Sequence, residues 1–532
     1  MQQTMALSLC VIKLSYLNHI IRSLKFTKPD GNNLMSLKLK NMVVATAGAL
    51  FFGFGTNAMA DSSDDIVQAL IAKGILTEEE GELLMKGRAG EKEMKDKKEK
   101  KHWTNSVNIR GYVQTRNTTM IDGDKGVNLW TDRSVGDATS FGGDKNFLIR
   151  RARIIFSGNV GDHLGFYIQP DFASSAGTTN NVAQLRDAYG DIFIDKEKVH
   201  RIRVGQSKVP YGFENMQSSQ NRLALDRADA LNSAVRDERD LGVFYYYTPE
   251  TTQKLFEEIA KAGLKHSGNY GMFALGAYNG QGANRAEAND NYHLVARATY
   301  PWKTESGQIY EIGVQGYKGQ YVATTGAYRT SLNRTKATAL NVTQPGISAT
   351  GAAPAIAAGC SSVATTAQQS QGIKSVCTPR FANGNSNIED ARAGISFMMY
   401  PQPFGLQAEW NWGKTPGLNM ASNIIEEKSL NGGYVQAMYK IDDFYKGTLI
   451  PFIKWQYFDG ANKAELNAPV NHVNDWEYGL EWQIAPEVEL TAVYHVMNRN
   501  NLVTGASNTT LNKQDYATFK ADALRVQLQY NF

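Results

Sequence analysis

The sequence predicts an all-β protein, a 16-stranded antiparallel transmembrane β-barrel that follows a short N-terminal helical segment. Three observations predict it. An export signal precedes the mature chain, polar and apolar residues alternate from about residue 105 to the C-terminus, and the connections between the predicted strands alternate between long and short. Since lipid offers no hydrogen-bond partners to the backbone, exported strands that cross a membrane must close into a barrel.

Composition excludes several classes of protein. The chain has 532 residues and a mean hydropathy of −0.39, so it lacks the repeated apolar runs of a helical membrane protein. Aromatic residues make up 10% of it, which argues against a wholly disordered chain. The first 60 residues carry six basic side chains and one acidic one, which leaves 50 basic and 51 acidic residues in the rest. That balance gives no reason to expect nucleic acid as a partner.

The N-terminal region has the pattern of a secretory signal. Met35 begins a segment with two lysines, an apolar stretch over 42–54 and a small-x-small site that ends at Ala60. We therefore expect residues 35–60 to be a signal peptide that is cleaved after Ala60. Residues 1–34 fit no part of a signal, and we expect them to lie upstream of the true start. A buried N-terminal helix is the alternative interpretation.

Residues 61–104 differ from the chain that follows. Apolar residues recur at helical spacing between Ile66 and Leu84, and Thr77 and Glu80 have the spacing of a capping box. A run of mixed charge ends the segment. The pattern predicts a periplasmic helical segment and a charged linker, and the short apolar stripe leaves a trimerising coiled coil open as the alternative.

Strict alternation of polar and apolar residues dominates from residue 105 to the C-terminus. In the last segment Leu524, Val526 and Leu528 fall on one face, and Arg525 and Gln527 fall on the other. A period of two is typical of strands with one apolar face. The candidate strands are 106–117, 146–159, 164–173, 184–195, 200–206, 241–248, 269–280, 292–301, 308–321, 388–400, 404–414, 430–441, 448–458, 473–485, 488–498 and 519–532.

The connections between these strands alternate in length. Long connections follow most of the odd-numbered strands, whereas the even-numbered strands are followed by turns of three to six residues, with 249–268 as the exception. Long loops outside and short turns inside are typical of membrane barrels, and a soluble β-sandwich, the alternative, gives no reason for the alternation. We expect 207–240 to fold inward as a constriction loop, with an outward surface loop as the alternative. We expect 322–387 to be a long surface loop.

The two cysteines of this long loop are Cys360 and Cys377. An even number of cysteines in an exported chain favours a disulfide, so we expect these two to be joined, with free thiols as the alternative. Two cysteines without a histidine between them do not suggest a zinc site, and no other metal site is expected.

Six motifs stand in order along the first half of the predicted barrel: Phe147–Gly158, Phe166–Asp171, Leu185–Tyr189, Val204–Glu214, Ser218–Ser219 and Asp226–Arg227. In sequence and spacing they resemble the phosphate-selective porin O/P family of outer-membrane porins. The resemblance covers about residues 105–532 and is most specific before residue 230. It implies a homotrimeric barrel of 16 strands in the bacterial outer membrane, with a loop folded into a pore rich in arginine and lysine. The partners that it implies are small anions and solutes, and the surrounding outer-membrane lipid.

Cations on polar strand faces are the candidate pore-lining residues, because a charge on the lipid face at the midplane costs about 2–4 kcal/mol. Arg150 falls on the same face of its strand as the apolar residues that point outward, so alternation alone places it near a rim or a protomer interface. The resemblance instead implies that Arg150 and Arg151 are paired arginines near the constriction, with Arg227 just beyond the inward loop. The candidates for the anion path are Arg110, Arg116, Arg150, Arg151, Arg153, Arg201, Arg203, Lys208, Arg222 and Arg227.

Two departures from the family pattern bear on phosphate. Asn215 and Gln220 stand where family members with a strong phosphate preference carry lysine. Because phosphate is desolvated only against several convergent donors, the resemblance supports a porin more strongly than a phosphate-selective one.

The sequence therefore predicts an outer-membrane porin, a water-filled channel for passive diffusion of small ions and solutes that is weakly anion-selective. Acidic residues share the polar faces, so charges that merely solvate the pore are the alternative to anion selectivity. The competing classes are a barrel enzyme and a surface adhesin or receptor. The chain has no Gly-x-Ser-x-Gly and no His-Glu-x-x-His motif, and no enzyme activity or cofactor is expected.

Overall fold

The computed structural model describes residues 107–124, 127, 129, 145–176, 179–331, 360–362, 373–419, 422–505 and 512–532. The predicted upstream segment 1–34, the signal peptide 35–60 and the helical segment 61–104 lie outside the described residues, so these three expectations stay predictions. Within the described part of the chain, no helix is both long enough and apolar enough to cross a membrane.

The described residues form twenty strands, of which sixteen build one closed antiparallel wall. The wall consists of β1–β9 and β14–β20, and all sixteen predicted strands are found in it, which confirms the predicted fold class. Its strands are β1 (Asn108–Gly123), β2 (Lys145–Val160), β3 (Leu164–Ala176), β4 (Thr179–Phe193), β5 (His200–Lys208), β6 (Arg239–Tyr247), β7 (Phe273–Tyr278), β8 (His293–Lys303), β9 (Ile309–Val322), β14 (Asn387–Met399), β15 (Phe404–Asn419), β16 (Ile424–Tyr439), β17 (Thr448–Ala461), β18 (Val470–Ala485), β19 (Val488–Gly505) and β20 (Asn512–Asn531).

The wall closes where the first strand pairs with the last. β1 and β20 are antiparallel from the Tyr112–Asn531 pair onward, and Gly111 and Phe532 exchange two backbone hydrogen bonds of 2.7 and 3.0 Å. A Cβ on Gly111 would lie 2.5 Å from the Phe532 ring, so the absence of a side chain at residue 111 lets this ring pack over the seam.

Alternation along each wall strand separates two environments. On β20 the Arg525 side chain is buried, whereas Leu524 and Leu528 are about 40% exposed on the outside. The inward faces are therefore polar and the outward faces apolar, as a barrel in lipid requires. The buried apolar core lies inside the barrel, where Tyr317 and Tyr434 of the wall pack against Ala228, Leu231 and their neighbours.

Several strands are longer than the alternation predicts. Long loops were expected at 415–429, 459–472 and 499–518, but most of these residues continue the strands, and β19 and β20 have 18 and 20 residues. A strand needs only about 9–11 residues to cross the hydrocarbon layer. The hairpins therefore extend beyond it, where both faces meet water and one-sided polarity is no longer required.

Four short strands lie in the predicted surface loop 322–387: β10 (Tyr328–Ser331), β11 (Cys360–Ser362), β12 (Ile373–Cys377) and β13 (Arg380–Phe381). β11 pairs antiparallel with β12, and Cys360 is directly opposite Cys377 in the register. Cys377 is buried. The geometry agrees with the predicted Cys360–Cys377 pair, which stays a prediction to be tested by mass.

Among the described residues, helical structure is confined to the connections: α1 (Phe213–Met216), α2 (Asp229–Asn232) and α3 (Glu250–Lys261), with single 3₁₀ turns at Arg236–Glu238 and Ala382–Gly384. α3 explains why the connection between β6 and β7 is long where a short turn was expected. Its apolar face, with Phe256 and Ile259, is buried against the short-turn end of the barrel. By the rule for membrane barrels this is the periplasmic end.

Candidate functional site

The lumen is crossed by a loop, residues 209–238, which leaves β5 and returns to β6. We call it the lumen loop. Most of its side chains are buried, and it bonds to wall strands on several sides of the barrel. Its anchors include the Ser219 and Tyr112 hydroxyls at 2.8 Å, the Phe213 N–H to Glu409 Oε2 at 2.9 Å, and Arg499 Nη1 to Asp229 Oδ2 at 2.6 Å. These anchors on β1, β15 and β19 fix the loop across the lumen.

Two cations hold the lumen loop together from within. Lys208 Nζ donates to the backbone carbonyls of Met216 and Gln217 at 2.7 and 2.9 Å. Arg227 donates to the Glu214 carbonyl at 3.0 Å and pairs with a carboxylate of the same loop. Both were predicted to line the pore. Lys208 and Arg227 are buried and bonded, so their first role is to fold the loop.

Asp226 at the centre of the lumen loop is bound by three arginines of the wall. Arg525 Nη1 lies 2.5 Å and Arg116 Nη1 lies 3.2 Å from Asp226 Oδ2, and Arg150 Nη2 lies 3.8 Å from Oδ1. Burial alone would raise the pKa of this carboxyl, but the arginines hold its pKa well below the usual range. Asp226 is therefore ionised and neutralises part of the basic wall.

A β-bulge corrects the expectation that alternation alone gave for Arg150. The register of β1 with β2 passes from the Gln114–Arg151 pair directly to the Thr115–Ile149 pair, so Arg150 is an extra residue. Such an insertion reverses the alternation locally. The side chains of Arg150 and Arg151 therefore both face the lumen, and Arg150 lies neither at a rim nor at an outer surface.

Arg151 and Arg222 differ from the other predicted pore-lining arginines of this region because neither forms an ion pair with any described residue. Arg151 donates to Gln114 Oε1 at 2.8 Å. Arg222 Nη2 donates to the Leu225 carbonyl at 3.3 Å, and its buried Nε and Nη1 have no hydrogen-bond partner among the described residues. Two buried guanidinium groups without a carboxylate leave a local excess of positive charge.

These arginines line a cavity of about 770 Å³ between β2–β4 and the lumen loop. We call it the outer cavity. Eight arginines and five carboxylates line it, so its wall is net positive. The basic lining residues are Arg150, Arg151, Arg153, Arg186, Arg222, Arg227, Arg236 and Arg285, and the acidic ones are Asp171, Asp226, Asp237, Glu238 and Glu465. An anion that enters the barrel here meets a favourable potential.

Other predicted arginines also face the lumen but carry their own counter-charges. Arg153 Nε lies 2.7 Å from Asp171, and Arg203 Nε lies 2.7 Å from Asp191. Arg201 is 3.6 Å from the same Asp191. These pairs hold neighbouring strands together and contribute less to the net potential than an unpaired cation would.

The remaining candidate, Arg110, is exposed at the periplasmic start of β1 and is absent from the outer cavity. The sequence analysis did not select Lys454, which is fully buried against Glu214 of the lumen loop, or Arg499 and Arg525 of the last two strands. All three lie on the inward-facing side of their strands, so the alternation of polar and apolar residues along β17, β19 and β20 could have identified them.

A closed barrel of sixteen antiparallel strands with a polar lumen and a loop folded into it is a porin, a channel of the bacterial outer membrane. The family model described as "Phosphate-selective porin O and P" matches residues 124–532, and the chain belongs to this family. The resemblance found in the motifs is thereby confirmed. Membership identifies the protein as a channel rather than an enzyme. No curated protein matches the chain.

Solved structures of other outer-membrane channels are similar in fold. The channel DcaP of Acinetobacter baumannii has 15% identity and a TM-score of 0.42, with 80% of this chain and 97% of that chain covered. OmpF of Salmonella typhi, in complex with daunomycin, has 13% identity and a TM-score of 0.45 with the same coverage. An anion-selective porin from Comamonas acidovorans has 10% identity and a TM-score of 0.39, with 80% and 99% covered.

Proposed function

We propose that this porin is a weakly anion-selective diffusion channel in which Arg151 and Arg222 set the preference for anions. The observation that carries the proposal is that neither arginine has a carboxylate partner among the described residues, in a cavity whose lining is net positive. Arg236 and Arg285 of the same lining also have no ion pair among the described residues, but they are less buried than Arg151 and Arg222. Because solvent screens an exposed charge more strongly than a buried one, we assign the excess positive charge that acts on a passing ion mainly to Arg151 and Arg222.

The proposed preference is weak for an electrostatic reason. Five carboxylates share the outer cavity with eight arginines. The net force on an anion is therefore the attraction by the arginines less the repulsion by the carboxylates. Screening weakens it further as salt rises, because the Debye length falls from about 10 Å at 0.1 M to about 3 Å at 1 M.

Reversal potentials of the purified protein in a planar bilayer under a salt gradient test the proposal. For the wild-type channel we expect a reversal potential whose sign shows that anions permeate more easily than cations. For Arg151→Gln and Arg222→Gln we expect a smaller reversal potential with the pore still open. Lys414→Gln is the matched control, since it removes one positive charge from an exposed side chain on the outside of β15. Cation preference in the wild type, or equal effects of all three substitutions, would contradict the proposal.

We propose that the preference for phosphate over chloride is weak. Asn215, at one of the two positions without lysine, is buried and donates to the Leu231 carbonyl at 2.8 Å, so its amide serves the lumen loop and not the pathway. Gln220, at the other, is neutral. Block of chloride current by micromolar phosphate would overturn this point.

We also propose that the protein is a homotrimer in which the outer face of β1 is covered by a neighbouring protomer. Thr115, Asn117 and Thr119 have the outward parity of β1, beside Leu528, Val526 and Leu524 of β20 in the register. Within the chain Asn117 Nδ2 donates to the Asn146 carbonyl at 2.9 Å and Thr119 Oγ1 donates to Asn117 Oδ1 at 3.3 Å, which leaves part of their hydrogen-bonding capacity unused. Hydrocarbon cannot satisfy the rest, whereas an interface between protomers can.

A further inference from the structure

The connection between β6 and β7 enters the periplasmic mouth of the barrel after α3 ends. The helix ends with Gly263 at a φ of 65°, where the N–H groups of Gly263 and Leu264 donate to the carbonyls of Ala260 and Ile259 at 3.1 Å each. This reversal of the chain is a Schellman-type ending. It directs the residues that follow back toward the lumen. We call residues 262–268 the periplasmic strap.

The strap and α3 pack against the lumen loop. Leu264 is buried in one apolar cluster with Phe256 of α3, Phe213 of the lumen loop and Ile309 and Tyr400 of the wall. The lumen loop thus reaches from the outer cavity to the periplasmic mouth, and its inner end rests on α3.

Lys265 of the strap is bound to the opposite side of the barrel. Its ammonium group forms an ion pair with Glu481 of β18, and both side chains are buried. In the closed wall β18 is eight strands from β6 in either direction, so the pair crosses the periplasmic mouth. The backbone of Lys265 has a φ of 41°, a conformation that is costly for a residue other than glycine and is retained only where contacts hold it.

Two further contacts join the strap to the lumen loop. Gln217 Nε2 donates to the Lys265 carbonyl at 2.7 Å, and the Asn221 side-chain amide lies 3.4 Å from His266 Nε2. A cavity of about 620 Å³ is lined by this part of the loop, by the strap, and by Gln483 and Glu489 of the far wall. The strap therefore borders the space between the lumen loop and the periplasmic mouth.

We propose that the periplasmic strap is a second constriction of the channel, and that the Lys265–Glu481 pair is the positioning pair that sets its aperture. The inference rests on the proposed diffusion function and extends it from charge to size. The outer cavity, with its excess of arginine, biases which ions enter, whereas the strap limits the size of the solutes that leave on the periplasmic side.

A charge-swap cycle tests the pair. In Lys265→Glu and in Glu481→Lys two like charges face each other across the mouth, so we expect the strap to move away from β18. Both variants should show a higher single-channel conductance and should admit larger neutral polyethylene glycols than the wild type. The double variant restores the opposite charges, and we expect it to restore the wild-type conductance and size cut-off.

Lys303→Glu is the matched control. Lys303 pairs with Glu258 of α3, but on the half-exposed periplasmic surface and not across the mouth. It should leave the size cut-off unchanged. Should a charge-swap variant fail to form the heat-modifiable band of a folded barrel, Lys265→Met and Glu481→Gln give the same comparison without repulsion. An unchanged cut-off in the single variants, or a double variant that stays enlarged, would overturn the proposal.

The two proposals fail in different ways. Exclusion of a neutral polymer does not depend on ion preference, whereas the reversal potential does not depend on the polymer cut-off. A channel with no anion preference but with the expected shifts in cut-off would overturn the proposed selectivity and uphold the strap. The reverse result would overturn the strap alone.

Discussion

Arg151 and Arg153 lie two residues apart on β2 and face the same lumen, but their surroundings differ. Arg153 is bonded to Asp171 at 2.7 Å, whereas in the described part of the chain Arg151 is bonded only to the neutral Gln114. A count of inward arginines therefore does not measure the potential of the pore. What matters is which of them lack a nearby carboxylate, and the sequence alone does not pair them.

Asp226 is the residue at which charge and stability are most closely linked. Replacement by Asn removes the carboxylate that Arg116 and Arg525 share, although Arg525 keeps Glu477 at 3.4 Å, and loss of one partner of a buried pair costs about 3–5 kcal/mol. We expect Asp226→Asn to lower the thermal unfolding midpoint in detergent, followed by circular dichroism, and to increase the anion preference in reversal-potential measurements. Asp237→Asn is the control for the unfolding midpoint, because Asp237 is in the same loop but 41% exposed.

The effect of Asp226 on stability should depend on pH. The pKa of this carboxyl is lower in the folded protein than in the unfolded chain, where an aspartate has a pKa of about 3.9. Its contribution is therefore fully present above that value and is lost as pH falls through the folded pKa. Wild type and Asp226→Asn should differ in unfolding midpoint at neutral pH and converge in strong acid. A constant difference would contradict the assignment.

Residue-level prediction was limited by a single irregularity of the backbone. Alternation predicts the inward parity of Arg116, Arg151, Arg153 and Arg203, and the structure places all four side chains inside the barrel. It gives the wrong side for Arg150, because a bulge breaks the period of two at this residue. Nothing in the local composition distinguishes the bulge from an unbroken strand.

At the scale of elements, the strands were predictable and the segments inside the barrel were predictable only in part. The inward position of 207–240 was expected, but the anchors of the lumen loop join residues up to 309 positions apart and follow no local pattern. α3 was missed although Leu255, Phe256 and Ile259 have helical spacing after Pro249. The unusual length of this connection indicated an inserted element, and the spacing within it indicated a helix.

The disulfide is a prediction at the element scale, because it joins β11 to β12. Intact-mass analysis of unreduced protein after alkylation should find neither Cys360 nor Cys377 modified. By the loop-entropy estimate, a bridge that closes about 15 residues stabilises by about 3 kcal/mol. The pair lies outside the sixteen-stranded wall, so Cys360→Ser and Cys377→Ser together should leave the barrel's circular dichroism unchanged while the loop becomes more sensitive to protease. Two alkylated thiols would rule the bond out.

At the scale of the whole molecule, the fold followed from constraints that act on every strand alike. A period of two, a predicted export signal and alternating connections were sufficient to predict sixteen strands, because lipid imposes one rule on each strand face. The lengths of the hairpins were underestimated, because the rule for strand faces does not apply to the parts of the hairpins that extend into water.

The trimer is the prediction that concerns the assembled protein. Chemical cross-linking of detergent-extracted protein should yield a species of three chains. Asn117→Arg, which adds a bulky charge to the outer face of β1, should shift it toward monomer. Tyr439→Arg on the exposed face of β16 is the control, which should not affect the number of chains. A monomer in both wild type and variant would show that the polar stripe of β1 has another explanation.

The position of Asp226 has a consequence for the order in which the protein assembles. This one carboxylate binds Arg116 of the first wall strand and Arg525 of the last, the two strands that meet at the seam. A barrel that sealed first would have to admit a thirty-residue segment through its own mouth and desolvate these arginines unaided. We therefore expect the segment to be in place while the sheet is still open, so that Asp226 draws the two ends of the sheet together and closure becomes the last step of biogenesis.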